Sequence, residues 1–165
     1  MEIISISDKN KEQINNFLIS HWYSTDMVVR GEVVDMTKLD GFAAYENEDI
    51  IGLITYRIEG SECEIMSLDS LKENRGIGTV LLNKAIETAS NFNCIKIKLI
   101  TTNDNINAMR FYQKRGFDMM RIYRNALEKS RKIKPSIPIT GNFGIQLKHE
   151  IEFERKIEYH ADINN

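Results

Sequence analysis

The spacing of hydrophobic and polar positions divides the chain into two parts with different predicted elements. In the first part, apolar runs of strand length predict strands at 3–6, 41–45, 50–58 and 62–69. Polar turns at 46–49 and 59–61 separate the last three strands, which predicts an antiparallel meander. Apolar residues at helical spacing predict a helix over 9–21. Residues 20–40 show neither period, and we expect a short helix or loop there, outside the core and broken at Gly31.

From residue 76 onward, predicted helices and strands alternate. Ile77, Leu81, Ala85 and Ala89 form one apolar stripe, which predicts an amphipathic helix over 76–91. A polar connection follows the next strand, with Asn103 and Asp104 as candidate N-caps of a helix that ends at Gly116. The remaining predicted elements are strands at 95–100, 117–123 and 144–153 and helices at 105–115 and 125–134.

This order of elements predicts one mixed α/β domain over residues 1–165. The strand–helix–strand unit 62–100 should be parallel and right-handed, whereas the other neighbouring strands favour antiparallel pairing. We therefore expect a mixed, mostly antiparallel sheet with flanking helices. Residues 155–165 are expected to fray at the end of the chain.

Composition narrows the class of protein. A chain of 165 residues with 42% hydrophobic and 28% charged residues is typical of a globular domain with its own core. The formal net charge of −2 provides no basic field for nucleic acid. We see no signal peptide, and no apolar run approaches the roughly 20 residues that span a bilayer. Cys63 and Cys94 show no metal-binding spacing, so we expect no metal, two reduced core thiols and a cytoplasmic location.

The junction Arg75-Gly76-Ile77-Gly78 is the most informative stretch. Two glycines let the backbone turn sharply before a helix, and the helix N-terminus offers unsatisfied N–H donors to an anion such as a phosphate. One alternative is a tight turn that binds nothing. A dinucleotide fingerprint fits poorly, because Leu81 occupies its third glycine position and Lys96 and Lys98 stand where an acid is expected. A nicotinamide-dependent oxidoreductase is therefore disfavoured.

A second segment indicates which ligand this loop would bind. Residues 105–117 read N-x-x-A-x-x-F-Y-x-x-x-G-F. Together with the glycine loop, they closely resemble the two signature segments of the GNAT superfamily of acyl-CoA-dependent N-acyltransferases. The resemblance covers at least residues 41–117. One departure is Glu73, which stands at the family's Gln/Arg position.

The resemblance implies the GNAT fold and direct transfer of an acetyl group from acetyl-CoA to a primary amine of a small molecule or peptide. Residues 62–117 would form the acetyl-CoA-binding core. The backbone of Leu68 would meet the pantetheine and acetyl groups and donate to the oxyanion, and Tyr112 would be the general acid. The residues placed at the cofactor are Leu68, Lys72, Arg75, Gly76, Ile77, Gly78, Thr79, Asn105 and Tyr112.

The proton acceptor and the amine site stay open at this stage. Glu62 and Glu64 lie in phase along the strand with Met66 and Leu68, and either carboxylate, or an ordered water, would serve as the general base. Residues 1–45 would shape the acceptor side. The candidate residues on the acceptor side are His21, Trp22, Arg30 and Tyr45.

Two broader alternatives also stay open. A non-catalytic acyl-CoA-binding or sensing module on the same fold would retain the glycine loop without turnover. The family often dimerises through its later strands, and residues 117–153 would offer that surface for a homodimer.

Overall fold

A seven-stranded mixed sheet organises the residues that the computed structural model describes, which are 1–72 and 74–158. The strands are β1 (Glu2–Ser5), β2 (Asp26–Val29), β3 (Glu32–Asp35), β4 (Asp40–Glu46), β5 (Asp49–Glu59), β6 (Glu62–Ser70), β7 (Lys96–Thr102), β8 (Asp118–Tyr123) and β9 (Glu150–Lys156). The helices are α1 (Lys11–Trp22), α2 (Ile77–Asn91), α3 (Ile106–Gln113) and α4 (Ala126–Ile133). None of the helices within these residues is long and apolar enough to cross a membrane.

The large sheet has the strand order β1-β4-β5-β6-β7-β9-β8, and β2 and β3 form a separate hairpin. Strands β6 and β7 are parallel and are joined through α2, whereas the other paired strands of the described residues are antiparallel. The predicted mixed α/β class, the meander β4–β6 and the parallel strand–helix–strand unit are thus confirmed.

The pairing between β6 and β7 stops halfway along the strands. It runs from Glu62 opposite Lys96 to Ile65 opposite Leu99. At the next position of β6, a bulge at Met66 interrupts the ladder with β5, because Thr55 pairs with Ser67 but Tyr56 pairs with Ile65. Bulges bend a strand and increase its twist. The sheet therefore opens between residues 66–70 of β6 and the end of β7.

The two faces of the sheet bury different elements. On one face, the apolar stripe of α2 and the ring of Phe117 pack into the main core with Ile54, Ile97 and Phe153. On the other face, α1 buries Phe17 and Leu18 against Leu53. Next to α1, the hairpin β2–β3 packs Val29 and Val34 on Met66. The opening between β6 and β7 thus lies between two separately packed layers.

The prediction of a short helix or loop outside the core was wrong for most of residues 20–40. Asp26–Val29 and Glu32–Asp35 form the hairpin β2–β3, and Val29, Val34 and Met36 are buried. A short helix is present only at Met36–Lys38. Each strand has only four residues, which is too short for a period to stand out. The expected break at Gly31 is confirmed, because Arg30 and Gly31 both have positive φ angles, of 50° and 74°, as a two-residue hairpin turn requires.

Two further predictions at chain turns need correction. Helix α3 is capped by Asn105, whose side chain accepts the Ala108 N–H, and not by Asn103 or Asp104. The latter two accept backbone N–H groups of residues 142–149 and so fix the chain before β9.

The last strand begins at Glu150 and not at residue 144, and it ends at Lys156. Residues 155 and 156 therefore belong to the sheet and not to a frayed tail. The rest of the predicted tail from residue 159 onward lies outside the described residues.

Candidate functional site

The glycine loop places backbone donors at the start of α2. Gly76 is the N-cap, with φ 74°, and the first intrahelical bond runs from the Val80 N–H to the Gly76 carbonyl. The N–H groups of residues 77–79 precede that bond and point out of the helix end. They add to the partial positive charge of the helix N-terminus. The predicted anion-binding residues Gly76, Ile77, Gly78 and Thr79 thus form one turn of donors.

The two cations predicted to assist this turn are held by a carboxylate on β4. Lys72 and Arg75 both donate to Glu46, Arg75 at 2.8 Å. The hydrogen bond from Lys72, and then the one from Arg75, lower the pKa of Glu46. Sequence reasoning missed Glu46, which shows no motif. Glu73, the departure from the family pattern, lies outside the described residues.

Leu68 and Asn105 lie on the two sides of the opening. Leu68 pairs with Ile54 of β5, and its other edge has no strand partner among the described residues. Asn105, at the start of α3, uses its side-chain oxygen to cap Ala108 at 3.1 Å. Its side-chain nitrogen, Nδ2, makes no hydrogen bond within residues 1–72 and 74–158. These unpaired groups are suited to an extended amide chain lying along the opening.

Tyr112 projects from α3 into the core at this opening. The residue is 6% exposed, and its ring packs edge-on against Phe111 and Phe117. Burial, followed by the nearby charge of Asp69, raises the pKa of the phenol, while the charge of Arg115 lowers it. The net pKa lies above the usual range, so the phenol is protonated at neutral pH and can donate its proton.

Glu62 and Glu64, predicted as candidate bases, are both occupied by ion pairs. Glu62 accepts from Lys98 at 2.5 Å and from Lys96 at 2.9 Å, and these hydrogen bonds lower its pKa. A lowered pKa makes a carboxylate a weaker proton acceptor.

Glu64 is buried between two arginines. Arg30 donates at 2.7 Å and Arg57 at 3.0 Å. Burial alone would raise the pKa of Glu64, but the hydrogen bonds and charges of Arg30 and Arg57 outweigh burial and leave it lowered. Arg30, predicted on the acceptor side, therefore ties the β2–β3 turn to β6.

Asp69 is the carboxylate on this strand that sequence reasoning missed. The Trp22 indole N–H donates to Asp69 Oδ2 at 3.0 Å, while Oδ1 accepts no hydrogen bond from the described part of the chain. Burial raises the pKa of Asp69, and the Trp22 hydrogen bond and the charge of His21 reduce that rise. The charge of Asp69 also acts on Tyr112, where it helps to raise the pKa of the phenol.

The bulge at Met66 explains why Asp69 was missed. Strict alternation from Glu62 and Glu64 leads to Met66 and Leu68. The extra residue shifts the phase, so that Ser67 bonds to Thr55 and Asp69 pairs with Leu53, which faces α1. Leu68 instead packs toward the α2 side. The expectation that Leu68 shares the face of Glu62 and Glu64 was therefore wrong, and no feature of the sequence marks the bulge.

The other acceptor-side candidates divide between packing and a surface groove. Tyr45 is buried under α1 and donates to Gln13 at 3.1 Å, away from the opening. His21 stacks on Phe17 with ring centroids 4.1 Å apart. It lines a groove of about 670 Å³ that runs along α1 to Lys72. The structure thus brings His21 and Trp22, but not Tyr45, to the neighbourhood of Asp69.

Comparison with known proteins gives the site its context. The model of the acetyltransferase (GNAT) family matches residues 12–117. The uncharacterized protein YdhI of Bacillus subtilis (strain 168) is 46% identical over 159 residues, which cover 96% of this chain and 99% of YdhI.

Solved structures agree in fold at low identity. A GNAT family acetyltransferase from Elizabethkingia anophelis with acetyl-CoA bound has a TM-score of 0.68 at 20% identity, over 94% of this chain and 97% of that one. Arabidopsis thaliana Naa50, in complex with the bisubstrate analogue CoA-Ac-MVNAL, has a TM-score of 0.66 at 21% identity, over 94% and 97% of the two chains. The fold is the one that the glycine loop and the 105–117 segment predict. Because the family model covers more than half of its length, this chain belongs to the GNAT family of acetyltransferases.

Proposed function

We propose that this protein is an N-acetyltransferase that moves the acetyl group of acetyl-CoA directly to a primary amine of a small molecule or peptide. The observation that carries the proposal is the opening between β6 and β7, with a protonated Tyr112 at one side and the donor turn of α2 at its end. Structural neighbours with bound acetyl-CoA or a CoA bisubstrate analogue support this cofactor.

The cofactor would lie along features already described. Its pyrophosphate would accept hydrogen bonds from the N–H groups of residues 76–79. The pantetheine arm would bond to the unpaired edge of β6 and to the amide of Asn105. The Leu68 N–H is our candidate donor to the oxyanion of the tetrahedral intermediate.

Proton transfer assigns different tasks to Asp69 and Tyr112. The acceptor arrives as an ammonium with a pKa of about 10.4 if it resembles lysine, and it must lose a proton before its nitrogen attacks the acetyl carbonyl. With Glu62 and Glu64 in ion pairs, we propose Asp69, directly or through a water, as the acceptor of that proton. When the C–S bond breaks, Tyr112 gives its phenolic proton to the leaving thiolate.

The cysteines support direct transfer without an acyl-enzyme. Burial raises the pKa of Cys63 to about 12, so its thiol stays protonated and is a poor nucleophile. Burial also raises the pKa of Cys94. Two buried cysteines are also consistent with the cytoplasmic location that we propose.

The exposed apolar residues Met119, Met120 and Ile122 on the sheet-edge strand β8 support the proposal of a homodimer.

The test is a binding titration followed by an assay of free thiol release. Acetyl-CoA is titrated into the protein, and CoA release is then measured against peptides, polyamines, aminoglycosides and amino acids. We expect thiol release with at least one amine class, matched by formation of the acetylated amine in mass spectrometry. Binding without turnover across the panel would favour the non-catalytic acyl-CoA module, and absence of binding would reject both.

A further inference from the structure

Arg115 has a half-buried positive charge that no carboxylate neutralises among the described residues. Its guanidinium donates to the Phe111 carbonyl at 2.8 Å and to Thr79 Oγ1 at 2.6 Å, and both partners are neutral. Its Nε atom is buried and has no hydrogen-bond partner there. A cation withdrawn from water without a counter-ion is unfavourable. The side chain thus has an unmet requirement for an anion.

The guanidinium is also held in a defined place. It stacks over the Phe111 ring, with Cζ 3.6 Å from the ring centroid. The same ring approaches the glycine loop so closely that a Cβ at Gly78 would lie 3.4 Å from it. Arg115, Phe111 and the first turn of α2 therefore form one continuous surface.

The position of this cation is electrostatically unusual. Thr79 is the third residue of α2, so Arg115 sits at the positive end of that helix, where a cation is repelled and an anion is attracted. An anion bound at the loop would give Arg115 a counter-ion and would also offset its repulsion by the helix N-terminus. Lys72 and Arg75, which flank the loop, are already paired with Glu46.

We propose that Arg115 is a phosphate-binding residue for acyl-CoA in this protein, acting from the end of α3. It would supply the positive charge that is missing at Glu73, where the family pattern has Gln or Arg. This inference rests on the proposed use of acetyl-CoA. The chemistry required is a phosphate oxygen, provided either by the pyrophosphate or by the 3′-phosphate of the cofactor, and arginine suits it because its planar group offers several donors.

The experiment measures CoA binding by calorimetry for the parent protein, Arg115→Met and Arg115→Lys, at two salt concentrations. Arg115→Met should weaken CoA binding about 10- to 100-fold, as loss of a charge-assisted hydrogen bond does, and should reduce the salt dependence of Kd. Arg115→Lys retains the charge but not the planar donor group. Its affinity for CoA should therefore lie between those of the parent protein and Arg115→Met. Arg124→Met removes an exposed arginine elsewhere and should bind CoA like the parent.

Repeating the titrations with 3′-dephospho-CoA identifies the phosphate. If the loss caused by Arg115→Met persists with this ligand, Arg115 contacts the pyrophosphate; if it disappears, Arg115 contacts the 3′-phosphate. Unchanged CoA affinity in Arg115→Met overturns the inference. So does a loss of affinity with an unchanged salt dependence, because that result assigns Arg115 to bracing α2 against α3. If the parent protein binds no CoA, the proposed function fails first.

Discussion

The two halves of β6 behave differently, although they belong to one strand. Residues 62–65 pair with β7 on one side and with β5 on the other, and their carboxylates Glu62 and Glu64 are bound by lysines and arginines. Beyond the bulge, β7 pairing is lost, and Asp69 has one oxygen that accepts no hydrogen bond from the described residues. The carboxylates are therefore held in ion pairs where β6 pairs with both neighbours, whereas the carboxylate beyond the end of β7 pairing has an oxygen left for a ligand or a water.

This difference shows that the environment and the pKa of a carboxylate on β6 depend more on its position relative to the opening than on its residue type. The strand contains three carboxylates on the face of α1 and the hairpin, but cations lower the pKa of two of them and burial raises the pKa of the third. Asp69 is also the one whose charge affects Tyr112. We expect the reactive groups to lie at the open half, and four substitutions test that division.

Tyr112→Phe should have the largest effect. Removing the phenolic hydroxyl should lower kcat by about 10² to 10⁴, the range for a lost general acid, with little change in acetyl-CoA affinity. Steady-state assays with the best acceptor of the amine panel, together with a binding titration, provide the measurement. Tyr56→Phe, at another buried tyrosine of the main core, serves as the control and should leave kcat near that of the parent. A normal kcat in Tyr112→Phe would remove the phenol from the mechanism.

Asp69→Asn should lower turnover about 100-fold, because the amide cannot accept the proton of the ammonium. The same substitution should raise the free energy of unfolding, although it lowers turnover. Burial raises the folded-state pKa of Asp69 above its unfolded value, so the ionised carboxylate lowers the free energy of unfolding at neutral pH. Asn keeps an acceptor for Trp22 and removes this cost.

The thermal midpoint of Asp69→Asn should therefore equal or exceed that of the parent at pH 7. The two should converge as the pH falls through the raised pKa and the parent carboxylate becomes protonated. A variant that loses both activity and stability would show that Asp69 holds Trp22 in place and does not accept a proton.

Glu64→Gln should chiefly affect stability. It leaves Arg30 and Arg57 without the buried carboxylate between them, and we expect a loss of about 2 kcal/mol in the free energy of unfolding, below the full cost of breaking a buried pair because both arginines are partly exposed. The net pKa of Glu64 is lowered, so its contribution is present above the unfolded pKa and is lost as pH falls through the folded one. Chemical denaturation at pH 7 and at pH 3 measures both effects. A stability loss that stays equal at the two pH values would contradict the ion-pair explanation.

The sequence predicted the elements around the glycine loop well and those of the acceptor side poorly, for physical reasons. The loop 75–79 and the segment 105–117 carry recognisable family motifs, so the helix starts that they form could be read from the sequence. The hairpin β2–β3 is set by short-strand packing on Met66, and the phase of Asp69 is set by a bulge. Neither depends on a local pattern. The role that we propose for Arg115 could not be read from the sequence, because it depends on the lack of a carboxylate partner among the described residues, which is a property of the folded chain.

Glu62→Gln should have the smallest effect and is the most direct test of the division within β6. Glu62 is about a third exposed, and surface ion pairs contribute only about 0–1 kcal/mol. We therefore expect less than about a threefold change in kcat/KM and little change in the thermal midpoint, since Lys96 keeps Glu154 as a partner. Glu62 is one of the two carboxylates that the sequence offers as a candidate base, which makes the outcome informative in either direction. A loss of turnover near 100-fold in Glu62→Gln, with Asp69→Asn active, would place the proton acceptor in the paired half of the strand. In that case the lysines around Glu62 would have to move when the amine binds, because a carboxylate that accepts from two ammonium groups has its pKa lowered and is a poor base until those bonds are broken.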